Sequence, residues 1–196
     1  MSRGQAHTLE AFAAAVVLLA SLTFALQVTA VTPLTASTSS QHIENQQAAV
    51  AGSLLGAAAA NGTLKPSVLF WNSTGHRFYN ATRKGAYPMG GPPTAFGRAL
   101  NRTFVSRGFA VDVNVYYLDP GPELRRHRQR MVDFGQPSDH GTSATYTLTL
   151  YDDDVLYDQN GPTGTRINDS AFYAPDAFRA SPAYNVIVVE VVVWRM

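Results

Sequence analysis

Hydrophobic residues fill the chain from residue 11 to residue 31 without the polar face of an amphipathic helix. Residues 11–25 read AFAAAVVLLASLTFA and carry no charge, and softer residues extend the run. This run has the length of about 20 residues that a helix needs to cross a bilayer. Pro33 follows it and predicts a break or kink. We therefore expect a transmembrane helix over residues 5–32, kinked near Pro33.

A second pattern covers residues 33–60, where a polar segment precedes a return of helical spacing. Five of the six residues 35–40 are Ser or Thr, which indicates a linker. From Ile43 to Leu54, residues on one helical face recur at intervals of three and four. The Asn61-Gly62 pair is typical of a helix end. The sequence thus predicts a linker followed by an amphipathic helix.

From residue 67 onward the period changes to the alternation of β-strands. Residues 184–194 are strongly apolar on both faces, which predicts a central strand or one covered by the helix. A short helix is expected at residues 94–106. The predicted strands are residues 68–71, 77–79, 109–117, 142–151 and 184–194. Residues 61–196 are expected to form an exported β-rich domain, and the fold class is α+β with an antiparallel sheet.

The charge distribution supports a division into an anchor and a soluble domain. Charged residues make up 15% of the 196 residues, below the usual quarter or so. Before Asn61 only Arg3, Glu10 and Glu44 are charged. The net charge of +1 gives no strong electrostatic preference for a partner. The absence of cysteine excludes disulfides, thiolate metal sites and a cysteine nucleophile.

Three interpretations of the N-terminal segment compete. A cleaved secretory signal would end at Ala30, after a small-residue cleavage pattern. An uncleaved signal anchor would keep the helix, and so would a prepilin-type leader, which is cut on the cytoplasmic side before the apolar run. Glu10 favours the leader, because a secretory signal normally carries basic residues at this place.

Glu10 has two possible roles in a retained helix. In a filament of packed helices its carboxylate would pair with the cleaved N-terminal amine of a neighbour, which offsets the cost of desolvating both charges. Alternatively, it lies among lipid headgroups and interacts favourably with the helix dipole.

A family resemblance follows from these residues. Arg3-Gly4-Gln5 resembles the class III leader of archaeal type IV pilins and archaellins, which are cut after the glycine. Glu10 is similar to the glutamate just inside the mature N-terminus of bacterial type IV pilins, although it would be the sixth mature residue where the bacterial pattern has the fifth. Residues 3–47 as a whole resemble the uncharacterised small pilin-like proteins of haloarchaea.

The resemblance implies a class III signal peptide at residues 1–4, cut between Gly4 and Gln5, and an assembly role for Glu10. It implies a pilin-like fold in which the long helix packs on the sheet. The protein would be a structural subunit, main or minor, of a type IV pilus-like surface filament, anchored in the membrane before assembly and with an extracellular soluble domain. The implied partners are a prepilin peptidase, other pilin subunits, the assembly ATPase and platform protein, and membrane lipid.

The alternative is a single-pass or secreted surface binding protein that does not polymerise. A weaker third hypothesis is a surface enzyme that uses an acidic turn at residues 152–154. We expect no enzymatic activity and no cofactor, since the sequence contains no nucleophile elbow, phosphate-binding glycine loop or metal-ligand spacing among its five His.

Five Asn-x-Ser/Thr sequons predict a glycosylated exported surface, where chance predicts only about one or two. The alternative is a Thr-rich sequence with fortuitous spacing. Four of the sequons precede residue 104, which suggests one decorated face. The predicted glycosylation sites are Asn61, Asn72, Asn80, Asn101 and Asn168.

Two charged runs remain. The acidic turn Asp152-Asp153-Asp154 is a weak calcium candidate, because clustered carboxylates suit hard cations. Its spacing does not match the D-x-[DN]-x-[DN]-G calcium loop, and a solvated hairpin is favoured. The basic run at residues 125–130 is compatible with contact to nucleic acid or an anionic surface. It lacks interleaved aromatic residues, so a solvated face or a subunit contact is favoured and no nucleic-acid partner is expected.

Overall fold

The computed structural model describes residues 3–82 and 84–196, with the backbone alone for residues 3–6 and 28–40. The chain divides into two compact units, residues 1–43 and residues 44–196. The helices are α1 (Arg3–Ala60), α2 (Leu64–Val68) and α3 (Ala95–Thr103). The strands are β1 (Trp71–Asn72), β2 (Arg77–Phe78), β3 (Phe109–Leu118), β4 (Arg126–Val132), β5 (Thr142–Tyr151), β6 (Val155–Asp158), β7 (Gly161–Arg166) and β8 (Ala183–Arg195).

The described part of the first unit is helical and belongs to α1. Residues 33–40 have α-helical backbone, so the helix does not break at Pro33 and the segment expected as a linker is helical. The kink near Pro33 stays a prediction. One proline removes a single backbone hydrogen bond, while Ser and Thr each cost only about half a kcal/mol relative to alanine in a helix. A helix that is already formed on both sides propagates through such a segment.

The second unit is built on a four-stranded antiparallel sheet with the strand order β4-β3-β8-β5. The predicted α+β class with an antiparallel sheet is confirmed. The central position of β8, predicted from its apolar sequence, is confirmed too. Two small hairpins, β1-β2 and β6-β7, lie outside this sheet.

Alternation along β8 gives the sheet a core face and an outer face. Ile187, Val189, Val191 and Val193 are fully buried on the core face, opposite the buried valines of β3. Glu190 and its alternating neighbours lie on the outer face and are partly exposed.

Residues 44–60 of α1 contribute to the same core. Ala51, Leu55 and Ala58 recur at helical spacing and are buried in the cluster that contains the β8 valines. Gly52 comes so close to the sheet that a Cβ built there would lie 3.8 Å from the Cβ of Ala144. The buried face of the helix therefore differs from the predicted apolar face, since Ile43 and Val50, which were predicted to share it, are exposed.

The predicted short helix at residues 94–106 is confirmed as α3 and a following 3-10 turn, Val105–Arg107. Thr94 caps α3, because its side-chain oxygen accepts a hydrogen bond from the Gly97 N–H. The predicted strand at residues 68–71 was largely wrong, since helix α2 ends at Val68 and strand pairing starts only at Trp71.

Candidate functional site

The first candidate feature is the apolar segment of α1. The stretch from His7 to Gln27 is apolar and long enough to cross a membrane, and it is wholly exposed. These properties are compatible with a membrane anchor and equally with a signal sequence near the N-terminus. In a soluble protein a continuous exposed apolar surface of this extent marks contact with lipid or protein.

Glu10 lies near the N-terminal edge of this apolar segment. Its side chain is 83% exposed, and its Oε2 is 3.8 Å from Nδ1 of His7, one helical turn earlier. Gly4 and Gln5, which flank the predicted leader cut, have helical backbone, and the side chain of Gln5 lies outside the described residues. Because its side chain is exposed, the carboxylate of Glu10 is accessible to a partner group.

The five sequon asparagines lie in different local settings of the second unit. Asn61, Asn80, Asn101 and Asn168 are exposed, whereas Asn72 is half-buried. The Oδ1 of Asn72 accepts a hydrogen bond of 2.8 Å from the Gly75 N–H and closes the β1-β2 turn. Four of the five asparagines are thus open to modification, and Asn72 is held by its own turn.

The acidic turn is arranged as an ion pair. The carboxylate oxygens of Asp154 lie 2.7 Å and 2.6 Å from Nζ of Lys65, and Oδ2 also accepts the Tyr151 N–H. Asp153 is exposed, and Oδ1 of Asp152 is buried without a hydrogen bond. Across residues 3–82 and 84–196 no three or more His, Asp or Glu side chains are grouped to hold a metal ion. Asp154 is thus paired with Lys65 rather than free to bind a cation, which favours the interpretation of this turn as a hairpin.

The outer face of the sheet carries a polar network that the sequence analysis missed. Glu190 on β8 accepts hydrogen bonds through Oε2 from Asn114 Nδ2 at 3.0 Å and from the Tyr116 hydroxyl at 2.8 Å. Burial, followed by the hydrogen bond to Glu190, raises the pKa of Tyr116. More than 70 residues separate Glu190 from its two partners in the sequence, and the pairing of β3 with β8 brings them together.

Asp112 lies on the same face of β3. Its Oδ1 accepts a hydrogen bond of 2.7 Å from the Phe134 N–H. Desolvation outweighs this bond and raises the pKa of the Asp112 carboxyl. A cleft of about 540 Å³ lies over Asp112, Asn114, Tyr116 and Glu190.

The basic run at residues 125–130 is divided by strand alternation. Arg126, Arg128 and Arg130 pair with the outer-face residues of β3, while His127 and Gln129 pair with the core-face residues. The guanidinium of Arg126 lies 5.0 Å from the centre of the Tyr116 ring. Arg130 is paired with Asp133 at 2.9 Å. The outer face therefore combines guanidinium donors with carboxylate acceptors.

A second groove, of about 470 Å³, lies beside the opposite edge of the sheet. Tyr146 and Leu148 of β5 form one wall. Leu64, Leu69 and Tyr157 contribute to the rest of its lining. The Lys65–Asp154 ion pair, Asp153 and Thr147 also line the groove, so its lining is part apolar and part polar.

Comparison with protein-family models matches residues 3–193 to a family of unknown function, DUF7288. The match covers almost the whole chain, including the apolar segment and the sheet. No curated protein and no solved structure matches the chain.

Proposed function

The chain belongs to DUF7288, a family of unknown function, and on this premise we propose that it is a structural subunit of a type IV pilus-like surface filament. The apolar segment anchors the subunit in the membrane before assembly and packs in the filament core afterwards. The domain at residues 44–196 faces the exterior and carries glycans at its sequons. A class III peptidase removes residues 1–4, and Glu10 pairs with a neighbouring subunit.

One observation carries this proposal: an exposed apolar helix that bears a carboxylate near its N-terminal edge. A charge near hydrocarbon is costly, and in a lone helix only the headgroup region and the helix dipole offset this cost for Glu10. When several such helices pack in a filament, the carboxylate gains a partner, because the amine exposed by cleavage after Gly4 is a counter-ion for Glu10 of the next subunit.

The soluble domain supports the same role by being complete in itself. The buried residues of its core cluster lie between Ala51 and Val193, inside residues 44–196. A subunit organised in this way leaves its anchor available for contact with other anchors.

The mature N-terminus tests this proposal. The full chain is expressed in cells that contain a class III peptidase, and its mass is measured after purification. A chain that starts at Gln5 supports the proposal. A chain that starts at Val31 shows secretory cleavage and contradicts it, and a chain that retains residues 1–4 contradicts the leader.

A matched pair of variants then separates assembly from anchoring. Glu10→Ala is expected to insert in the membrane and to give far fewer filaments, because the cleaved amine of the neighbour loses its counter-ion. Glu44→Ala removes the other carboxylate before residue 61 and is expected to assemble normally. Filament yield is measured by sedimentation of sheared filaments, and the amount of inserted subunit is measured in the membrane fraction of the same cells. Normal filaments from Glu10→Ala would remove the assembly role of this residue.

A further inference from the structure

The two edge strands of the sheet differ in how they are protected. An unpaired strand edge is a template for another strand, and proteins commonly block it with charged residues or proline. Edge strand β4 carries Arg126, Arg128 and Arg130. Edge strand β5 reads TSATYTLTLY over ten residues and contains neither a charge nor a proline.

The outer edge of β5 is also accessible. Within residues 3–82 and 84–196, β8 is the strand that pairs with β5, and no strand covers its other side. Thr145, Tyr146 and Thr147 are consecutive and all exposed. Consecutive side chains of a strand point to opposite faces, so both faces of β5 are open at its middle.

The groove described beside β5 gives this edge a recognition surface. A strand that adds to a sheet edge gains main-chain hydrogen bonds, and its alternate side chains enter neighbouring pockets. Tyr146 and Leu148 stand on the groove side of β5, next to Leu64 and Tyr157. An added strand would place its own groove-side residues over these apolar side chains, which form part of the lining.

We propose that the occupant of this edge is β5 of a second copy of this chain, paired antiparallel about a two-fold axis at Thr147. In this register Thr147 faces Thr147 of the partner subunit, and Tyr146 faces Leu148 of the partner subunit. Threonine pairs and aromatic–aliphatic pairs both stabilise neighbouring strands. The uncharged sequence brings no like charges together.

Electrostatics selects this pairing over the other edge. Pairing of β4 with β4 of a second copy would bring arginines against arginines, which is unfavourable. Pairing of β4 with β5 would leave the arginines without acidic partners, since β5 has none. A two-fold contact uses the same surface on both copies and closes on itself. It does not build a filament, so the inference is independent of the proposed function.

Disulfide trapping tests the register, and the chain offers no cysteine of its own to interfere. Residues directly opposite in an antiparallel pair have Cα atoms about 4.5–5.5 Å apart, within the range that a disulfide bridges. The full chain with Thr147→Cys, in detergent micelles under mild oxidation, is expected to form a covalent dimer. Thr165→Cys, exposed on β7, is the matched control and is expected to stay monomeric.

A second pair of variants excludes dimers held only by the apolar helices. Adding Tyr146→Lys to Thr147→Cys places charge on the β5 edge and is expected to abolish the covalent dimer. Adding Gln129→Lys, on β4, is expected to leave it intact. Equal trapping of Thr147→Cys and Thr165→Cys would overturn the proposal, and so would trapping that survives Tyr146→Lys. Protection of the β5 amides from hydrogen exchange without trapping would also overturn it, by showing a different occupant.

Discussion

At the scale of single residues, Asp112 makes the stability of the soluble domain depend on pH. Its pKa is raised mainly by desolvation, so the folded state holds the Asp112 proton more tightly than the unfolded state. The contribution of this group to stability is therefore greatest below the unfolded pKa of about 3.9 and is lost as the pH rises through the folded pKa.

Asp112→Asn is expected to remove the loss of folding stability that ionisation of Asp112 causes as the pH rises. The amide oxygen of Asn can still accept the Phe134 N–H, and it carries no charge to desolvate. Relative to the wild type, the variant gains stability as the pH rises from about 4 and reaches a constant difference at neutral pH. Urea midpoints at a series of pH values measure this difference. The exposed Asp139→Asn is the control, and a parallel profile for wild type and Asp112→Asn would contradict the assignment.

The residues of the outer face also show why the sequence predicted the soluble domain better than its polar network. Glu190 lies in a run of valines, and nothing in the local sequence indicates that it belongs to a site. Its donors, Asn114 and Tyr116, occupy the polar positions of an alternating strand, where solvent exposure is the ordinary expectation. Only the register between β3 and β8 makes the three side chains one network.

At the scale of elements, α3 is expected to tolerate no side chain at Gly97. A Cβ built there lies 1.9 Å from the carbonyl oxygen of Pro92, which is a backbone atom. Gly97→Ala must displace the loop before α3 and is expected to lower the free energy of unfolding by about 1–3 kcal/mol, as overpacking does.

Gly56→Ala is the matched substitution, in α1. Nothing lies within 4 Å of its Cβ position, so the higher helix propensity of alanine is expected to raise stability by about 0.5–1 kcal/mol. Denaturant midpoints of the two variants should move in opposite directions. A neutral Gly97→Ala would mean that the loop at Pro92 yields easily.

The elements that the sequence predicted well are those with one dominant period. Strand β5 was predicted at residues 142–151 and is confirmed at these bounds. Strand β3 is one residue longer than predicted at its C-terminal end, and β8 is one residue longer at each end. Strand β4 was missed, because its alternating Arg residues are interrupted by His127 and Gln129 and the whole run resembles a solvated segment. Register with β3, a contact remote in sequence, decides its structure.

At the scale of the whole molecule, the two units are expected to be separable. Among the residues whose burial the structure describes, the hydrophobic core cluster lies between Ala51 and Val193, inside the second unit, residues 44–196. The described side chains of the first unit, residues 7–27 and 41–43, are exposed. A chain truncated to residues 41–196 keeps the helical turn before Glu44 and the contact of Glu44 with His140, at 3.1 Å.

The truncated chain is expected to fold alone and to lose its affinity for detergent. Its far-ultraviolet and near-ultraviolet circular dichroism should show a packed domain that unfolds in one cooperative transition. In a detergent phase separation it should enter the aqueous phase, whereas the full chain enters the detergent phase because its exposed apolar helix is solvated there. A truncated chain without near-ultraviolet signal would show that the first unit is needed for folding. A full chain that stays in the aqueous phase would remove the membrane role of the apolar segment and, with it, the anchoring step of the proposed function.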